Sequence, residues 1–385
     1  MRTLVIWGAG RIGRGFVAGL FREPGWRVVF VDIDEELVRR LNERGAYTVF
    51  RATRAGVERV RVEGGFTALH TGDADALSRV FREEGLLLDI AVHEPKLGQV
   101  ADMLTPLFTA RAQASCGPMD VMMNVNMTAP DEAFTRLMAE RLTGDALAYF
   151  QERVGVTGIA AMCISPVATE AMRAEDPLAL LNNGWPEQAI GLHQLKGEPP
   201  RLPHVRLSQD VRAEETRKLY TLNMAHALCC YLGVKKGYAT VLDCMRDEGL
   251  RDLTRRALEE ASLGLSRAFG FSGAEMTAWR GKIIDLLDNP AINDDLPRLG
   301  ADTRRKLSAS DRLCGPARLC LAAGGRPETI VRAIRAGFDF IHDDPGTAYV
   351  RGLVEEKGLP EAVGAVCGLS EDDALYRMIL NSEND

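Results

Sequence analysis

Three glycines, Gly8, Gly10 and Gly13, stand in G-x-G-x-x-G spacing between an apolar run, TLVIW, and a helical stretch, RGFVAGLFRE. No other feature restricts the fold so strongly. The first glycine permits a tight strand-to-helix turn, the second lets another group approach the backbone, and the third lets the helix lie close to the strand. The chain beyond this helix keeps the alternation. WRVVFVDID reads as a strand, EELVRRLNERG as a helix with a glycine stop, and LLLDIAVHE and DVMMNVNM as short central strands. The segment AAMCISP, residues 160–166, reads as one more strand near the domain edge. Strand–helix alternation of this kind predicts an α/β, Rossmann-type doubly wound sheet.

The second half differs. From about Asn182 to Asp210 the chain is rich in Pro and Gly (NNGWPEQ, KGEPPRLPHVRL), which marks a domain crossover. After Val211 helical periodicity dominates, as in EETRKLYTLNMAHALCCYLG and SGAEMTAWRGKIIDLLDNP. At 385 residues the chain is too long for one ordinary core. Two domains are expected, 1–200 with the Rossmann-type sheet and 201–385 mostly α-helical, with the acidic tail SEND frayed.

A net charge of −7 argues against nucleic acid as the main partner. The apolar runs are too short to cross a membrane, and the N-terminus enters a strand directly with no secretory signal. The eight cysteines form no C-x-x-C pair and read as reduced, mostly buried thiols of a cytoplasmic protein. The six histidines show neither H-x-x-x-H nor H-E-x-x-H, so no metal site is legible.

The glycine turn opens a helix whose first N–H groups carry partial positive charge, an arrangement suited to a pyrophosphate. Its candidate residues are Gly8, Ala9, Gly10, Arg11, Ile12 and Gly13. Asp32 ends the next strand nineteen positions beyond Gly13, the place of a carboxylate that holds the adenosine ribose hydroxyls. An acid there repels a 2′-phosphate, so NAD is expected rather than NADP. Asn126, at the close of MDVMMNVNM, stands where ligands bind in such sheets, or else caps a loop.

The stretch KLYTLNMAH carries Lys218, Asn223 and His226 within a little over two helical turns. In an α-helix Asn223 and His226 share a face, and Lys218 lies within about a right angle of His226. Alone, such a stretch is an ordinary solvated helix face.

Together these features resemble the mannitol dehydrogenase family, the polyol-specific long-chain dehydrogenases. The matching stretches are GAGRIGRGF, ERVGV, RKLYTLNMAH, RKLSASDRL from Arg305 and, more loosely, DNPAINDD from Asp288. They span Met1 to about Leu319, and the last two favour the sugar-phosphate branch. The resemblance implies metal-free, NAD-dependent chemistry on a sugar alcohol phosphate and a ketose phosphate, of the mannitol 1-phosphate and fructose 6-phosphate type. It makes Lys218 the general base, Asn126 and Asn223 donors to the substrate oxygen, and His226 a substrate-positioning group. The basic run Arg304, Arg305, Lys306, with Arg312, then fits a substrate phosphate, or is an exposed helix start.

The chain departs from the family at three places. Met162 and Cys163 replace an Asp-Arg pair, VHEP with His93 and Glu94 replaces a Val-Gly-Pro turn, and Met224 and Ala225 replace small polar residues, which predicts a more apolar pocket. Glu215, three residues before Lys218, is then a candidate proton relay. Alternatives are a dehydrogenase of a free polyol or a hexuronate or aldonate, and a protein that binds NAD and sugar without turnover. A monomer or homodimer is expected.

Overall fold

The computed structural model describes residues 1–292 and 294–382. Asn293, inside DNPAINDD, and residues 383–385 of the SEND tail lie outside the described residues. The chain forms two compact units, Met1–Glu215 and Thr216–Asp385. The expectation from sequence places the division at residue 200.

The first unit is built on eleven strands among the described residues: β1 (Arg2–Trp7), β2 (Trp26–Asp32), β3 (Ala46–Thr53), β4 (Gly56–Glu63), β5 (Phe66–His70), β6 (Leu87–Ile90), β7 (Met119–Met123), β8 (Val154–Ala160), β9 (Leu180–Asn182), β10 (Gln188–Gly191) and β11 (Val205–Ser208). Eight of them form one sheet in the order β11-β10-β8-β7-β6-β1-β2-β5, as a Rossmann-type doubly wound sheet requires. All its pairings are parallel except β8 with β10. β1 is hydrogen-bonded on both edges, to β2 and β6, and Leu4, Val5 and Ile6 are fully buried. A central strand covered on both faces needs apolar residues throughout, which is why TLVIW shows no alternation. Registers Trp7–Val31 and Trp7–Ile90 set the carboxyl ends of β1, β2 and β6 side by side.

Several elements differ from the sequence expectation. AAMCISP is not a strand. The strand is the preceding VGVTGIA, and residues 161–169 run irregularly, with the Asn183 side chain bridging the Met162 carbonyl and the Ile164 amide at 2.8 and 3.1 Å. The Pro- and Gly-rich stretch read as a crossover contains β10 and β11, which belong to the first unit. Its strands are only four residues long, too short to display a period. The antiparallel hairpin of β3 and β4 is also illegible in the sequence, because β4 (GVERVRVE) is almost wholly exposed and its charges mask the alternation.

The second unit is helical. Its longest helix, Glu248–Phe269, buries Leu250, Thr254, Leu258, Ala261 and Leu265, three or four residues apart along one stripe. Asp247 accepts from the Leu250 amide at 2.9 Å and caps the start, and Gly270, at φ 75°, ends it. Ser272 and Glu275 form a capping box for the next helix, Gly273–Leu287. No helix among the described residues is long and apolar enough to cross a membrane. All eight cysteines are thiols, and all but Cys163 are buried.

A close approach of two helix backbones can be tested. A Cβ on Gly264 would lie 2.6 Å from the Leu319 carbonyl carbon and 2.7 Å from the Cys320 nitrogen, atoms of helix Cys314–Ala322. Gly281, exposed on Gly273–Leu287, has nothing within 4 Å of that position. Gly264→Ala should therefore destabilise by about 1–3 kcal/mol, while Gly281→Ala should stabilise by about 0.5–1 kcal/mol. Urea unfolding of both variants measures the contrast, and equal effects would contradict this packing.

Candidate active site

The glycine turn is held by backbone contacts that leave no room for side chains at two of its three glycines. Gly8, at φ 105°, donates its N–H to the Val31 carbonyl at 2.8 Å, and a Cβ there would lie 2.4 Å from the Ala91 oxygen. A Cβ on Gly13 would lie 2.2 Å from the Gly8 oxygen. Gly10 is different: it is exposed, its φ is ordinary, and nothing lies within 4 Å of where its Cβ would be. That open space is what a pyrophosphate needs to approach the backbone.

Asp32 ends β2, and its carboxylate accepts from the Ala9 amide at 2.7 Å and the Asp34 amide at 3.0 Å. A carboxylate offers about four lone-pair sites, so capacity for ribose hydroxyls remains. Ile33 beside it is 63% exposed, an apolar surface next to the carboxylate. Arg11 and Ile12 are half-buried in the first turn of helix 11–20. Arg14, which the motif does not single out, lies beneath the loop. It is buried, donates from Nε to the Ala9 carbonyl at 2.5 Å and from Nη1 to the Leu178 carbonyl at 3.2 Å, and lies over the Tyr47 ring. Burial lowers its pKa, with Tyr47, Asp32 and Asp176 opposing. The residues present fit a dinucleotide. A cavity of about 190 Å³, lined by Phe21, Trp26, Phe30, Tyr47 and Phe66 among others, opens instead near the start of β2, away from the glycine turn.

His93 and Glu94 are exposed just beyond the Ala91–Val92 backbone that abuts Gly8. Asn126 does not close a strand. β7 ends at Met123, and Asn126 is exposed in the bend beyond it. Asn124, the first residue past the strand, instead donates from Nδ2 to Asp89 at 2.5 Å and to Gln188 at 3.3 Å. Asp89 is fully buried on β6, and burial pushes its pKa up to about 8 against the opposing hydrogen bond from Asn124. At neutral pH it is largely protonated. A lone acid inside LLLDIAV is the sequence signal for it.

In the second unit, KLYTLNMAH is not a regular α-helix. Residues Leu219–Asn223 form a π turn, continued by helix Met224–Lys235. In an α-helix Lys218 and Asn223 would stand about 140° apart. A single π turn accommodates one extra residue and removes about 100° of that rotation. Lys218 and Asn223 then lie about 40° apart, and Lys218 and His226 within about 20°. All three are half-buried. Met224 and Ala225, between Asn223 and His226, are completely buried. Glu215 belongs to the first unit: it accepts from the Ile159 amide at 3.1 Å and lies 3.8 Å from Arg212, and Gly158 supplies the space its carboxylate fills.

Burial pulls the His226 pKa down to about 4. The charges of Arg312, Arg298 and Lys306 pull the same way and Asp294 opposes. His226 and the RKLSASDRL stretch, far apart in sequence, are thus electrostatic neighbours. That stretch is not a uniformly exposed basic helix start. Of the four basic residues Arg304, Arg305, Lys306 and Arg312, only Arg304 is exposed, its guanidinium 4.0 Å from the centre of the Tyr349 ring. Arg305 pairs with Asp302 at 2.6 Å and Asp311 at 3.4 Å, and the buried Arg312 pairs with Asp311 at 2.6 Å. Lys306 is 6% exposed and donates to the Ala301 carbonyl. Burial, then Arg312 and Arg305, draw its pKa down to about 7. Tyr220 ties the π turn to this loop: its hydroxyl donates to the Ser310 carbonyl at 2.9 Å, and a Cβ on Gly315 would lie 2.3 Å from that hydroxyl oxygen.

Two tests arise from this geometry. Gly10→Ala should keep wild-type stability and lose dinucleotide affinity, whereas Gly13→Ala should lower the melting temperature itself; calorimetry with and without NADH separates the two. His226 should titrate with a midpoint near 4 in NMR spectra of ring-labelled protein. The unfolded ring titrates near 6.5. Between these values the unfolded chain binds the extra proton, so His226 makes stability fall as pH drops from about 6.5 toward 4. A midpoint above 6 would show that the ring is not desolvated.

Comparison with known proteins accords with both units. Residues 2–203 match the model of the mannitol dehydrogenase Rossmann domain, and residues 210–354 match that of the mannitol dehydrogenase C-terminal domain. Mannitol-1-phosphate 5-dehydrogenase of Bacillus licheniformis is 29% identical over 377 residues, covering 97% of this chain and 98% of that protein. The enzyme of the same name from Caldanaerobacter subterraneus subsp. tengcongensis is 29% identical over 374 residues, covering 97% and 95%. Among solved structures, the ternary complex of Pseudomonas fluorescens mannitol 2-dehydrogenase with NAD and D-mannitol aligns with a TM-score of 0.78 at 17% identity, covering 100% of this chain and 89% of that one. Substrate-free D-sorbitol dehydrogenase aligns at 0.80 and 15%, covering 98% and 91%. These two structures share the fold. With its sheet unit and its helical unit each matched by the corresponding domain model, the chain belongs to the mannitol dehydrogenase family.

Proposed function

We propose that this family member is an NAD-dependent dehydrogenase interconverting a sugar alcohol phosphate and a ketose phosphate, with mannitol 1-phosphate and fructose 6-phosphate as the first pair to assay. The observation that carries the reading is the convergence of His226 with Lys306 and Arg312, downstream of a π turn that draws Lys218 toward the same helix face.

Gly8–Gly13 and Asp32 would hold the dinucleotide, and Asp32 disfavours a 2′-phosphate by charge. When bound, NAD supplies a hydride acceptor for the carbinol carbon. The chain's own groups manage the proton and the oxygen. Lys218 takes the hydroxyl proton as the base and returns it in the reducing direction. Asn126 and Asn223 donate to the alkoxide character that develops on that oxygen. His226, neutral at working pH, orients a neighbouring hydroxyl by hydrogen bonding. Glu215, held by the Ile159 amide, passes the proton toward solvent. No metal is needed in this scheme.

The phosphate would engage Arg304, Arg305, Lys306 and Arg312. Lys306 is partly neutral near pH 7 in the free protein because it is buried beside two guanidinium groups. A bound dianion favours its charged form, so binding takes up a proton and weakens as pH rises through about 7. A second reading, a free polyol, is favoured by Asp302 and Asp311, which already neutralise Arg305 and Arg312.

Steady-state kinetics on mannitol 1-phosphate and mannitol, with NAD and NADP, decide between them. Arg305→Ala should raise KM for the phosphorylated substrate about tenfold or more, as loss of a charge-assisted contact would, and leave mannitol unaffected. An unchanged KM sinks the phosphate assignment. Lys218→Ala should abolish turnover on either substrate while NADH binding persists.

A further inference from the structure

The π turn raises a question that helix periodicity does not answer: what holds an extra residue in the helix that carries Lys218? Regular α-helix is the common choice, and π turns are rare, appearing mostly as single turns inside α-helices and frequently at functional sites. Thr221 lies at the middle of the turn and is fully buried. Its hydroxyl donates to the Arg217 carbonyl at 2.5 Å. That carbonyl, four residues back, is the acceptor the Thr221 amide would use in an α-helix. The hydroxyl also accepts from the indole Nε1 of Trp279 at 2.9 Å, on helix Gly273–Leu287. The same indole flanks the Arg217 guanidinium 3.9 Å from its ring centre, and Phe271 lies 4.4 Å from it. Arg217 and Thr221, on either side of Lys218, are therefore both anchored to one tryptophan.

We propose that Thr221, fixed by the Trp279 indole, is a positioning residue that holds the π turn and thereby sets Lys218 in register with Asn223 and His226. The back-bond alone leaves a helix regular, as it does at Thr105, Thr109 and Ser262. What sets Thr221 apart is that the Trp279 indole also pins its hydroxyl, and the π turn held there rotates the lysine by about 100° toward the amide and the imidazole. Neither Thr221 nor Trp279 need touch substrate. The inference rests on Lys218 acting as the base proposed above, but its geometric core is measurable without turnover.

The test uses full-length Thr221→Val, which keeps the branched shape and removes the hydroxyl, Thr221→Ser, which restores it, and Trp279→Phe, which keeps a ring and removes the donor. Lys218 reactivity is read by competitive acetylation with acetic anhydride across pH and subsequent peptide mass spectrometry, beside kcat, KM and NADH affinity. T221V and W279F should each move the half-labelling pH of Lys218 by about one unit and lower kcat at least about tenfold, as misplaced catalytic groups do. NADH affinity should hold, and T221S should behave as wild type. Unchanged Lys218 labelling in both T221V and W279F overturns the proposal, as does T221S failing equally with T221V. Shifted labelling with unchanged turnover upholds the positioning role and removes Lys218 from its role as base. Should T221V fail to fold, W279F carries the same readouts.

Discussion

Steric exclusion at the first turn is the constraint on which the nucleotide unit depends. The Gly8 oxygen and the Ala91 oxygen occupy the space that side chains on Gly13 and Gly8 would need, so the strand end, the helix start and the β6 end meet backbone to backbone. Asp32 and Arg14 then clamp the loop from its two sides through the Ala9 amide and carbonyl. The Gly8 amide and the Ala9 amide and carbonyl are thus satisfied by the protein, while the face beside Gly10 stays open for a ligand. Gly10 is where function rather than packing uses a glycine.

The helical unit solves a different problem. It gathers Lys306, Arg312 and Arg298 near a neutral imidazole, with Arg305 beside Lys306, and partial neutralisation makes this tolerable. Asp302, Asp311 and Asp294 pair with the arginines, and Lys306 gives up part of its charge. Buried like charges cost free energy unless countered. A bound anion would relieve that cost, so the cluster is adapted to a negatively charged or strongly polar ligand. The buried Asp89 of the first unit meets the same constraint by remaining protonated and bonding to Asn124.

Much of this is legible in the chain. Spacing locates Gly8, Gly10, Gly13 and Asp32, because a close backbone approach tolerates few residue types. Continuous apolar runs locate β1, β2, β6 and β7, because central parallel strands are covered on both faces. The signals that fail are weak for definable reasons. AAMCISP has strand composition, yet its backbone groups bond to an Asn183 side chain, and no periodicity reports such a partner. The four-residue β10 and β11 are too short to show a period. Asn126 reads as a strand end because MNVNM continues an apolar run that the sheet itself terminates at Met123.

The sequence by itself determined the glycine turn, the carboxylate that closes it, the two-unit composition and the identity of the lysine, amide and imidazole on one short helical stretch. These depend on local chemistry: which residues fit a crowded turn, and which side chains can donate, accept or carry charge. Only the tertiary structure decided how that stretch is wound and which of its neighbours are charged. A helix period read from sequence assumes a uniform ladder, whereas here the ladder widens into a π turn at Leu219–Asn223, where Thr221 bonds to a tryptophan fifty-eight positions away. Likewise RKLSASDRL looks evenly basic because a sequence does not show which arginines already hold a carboxylate. Both outcomes depend on contacts between segments distant in the chain, and those contacts exist only after the helices have packed.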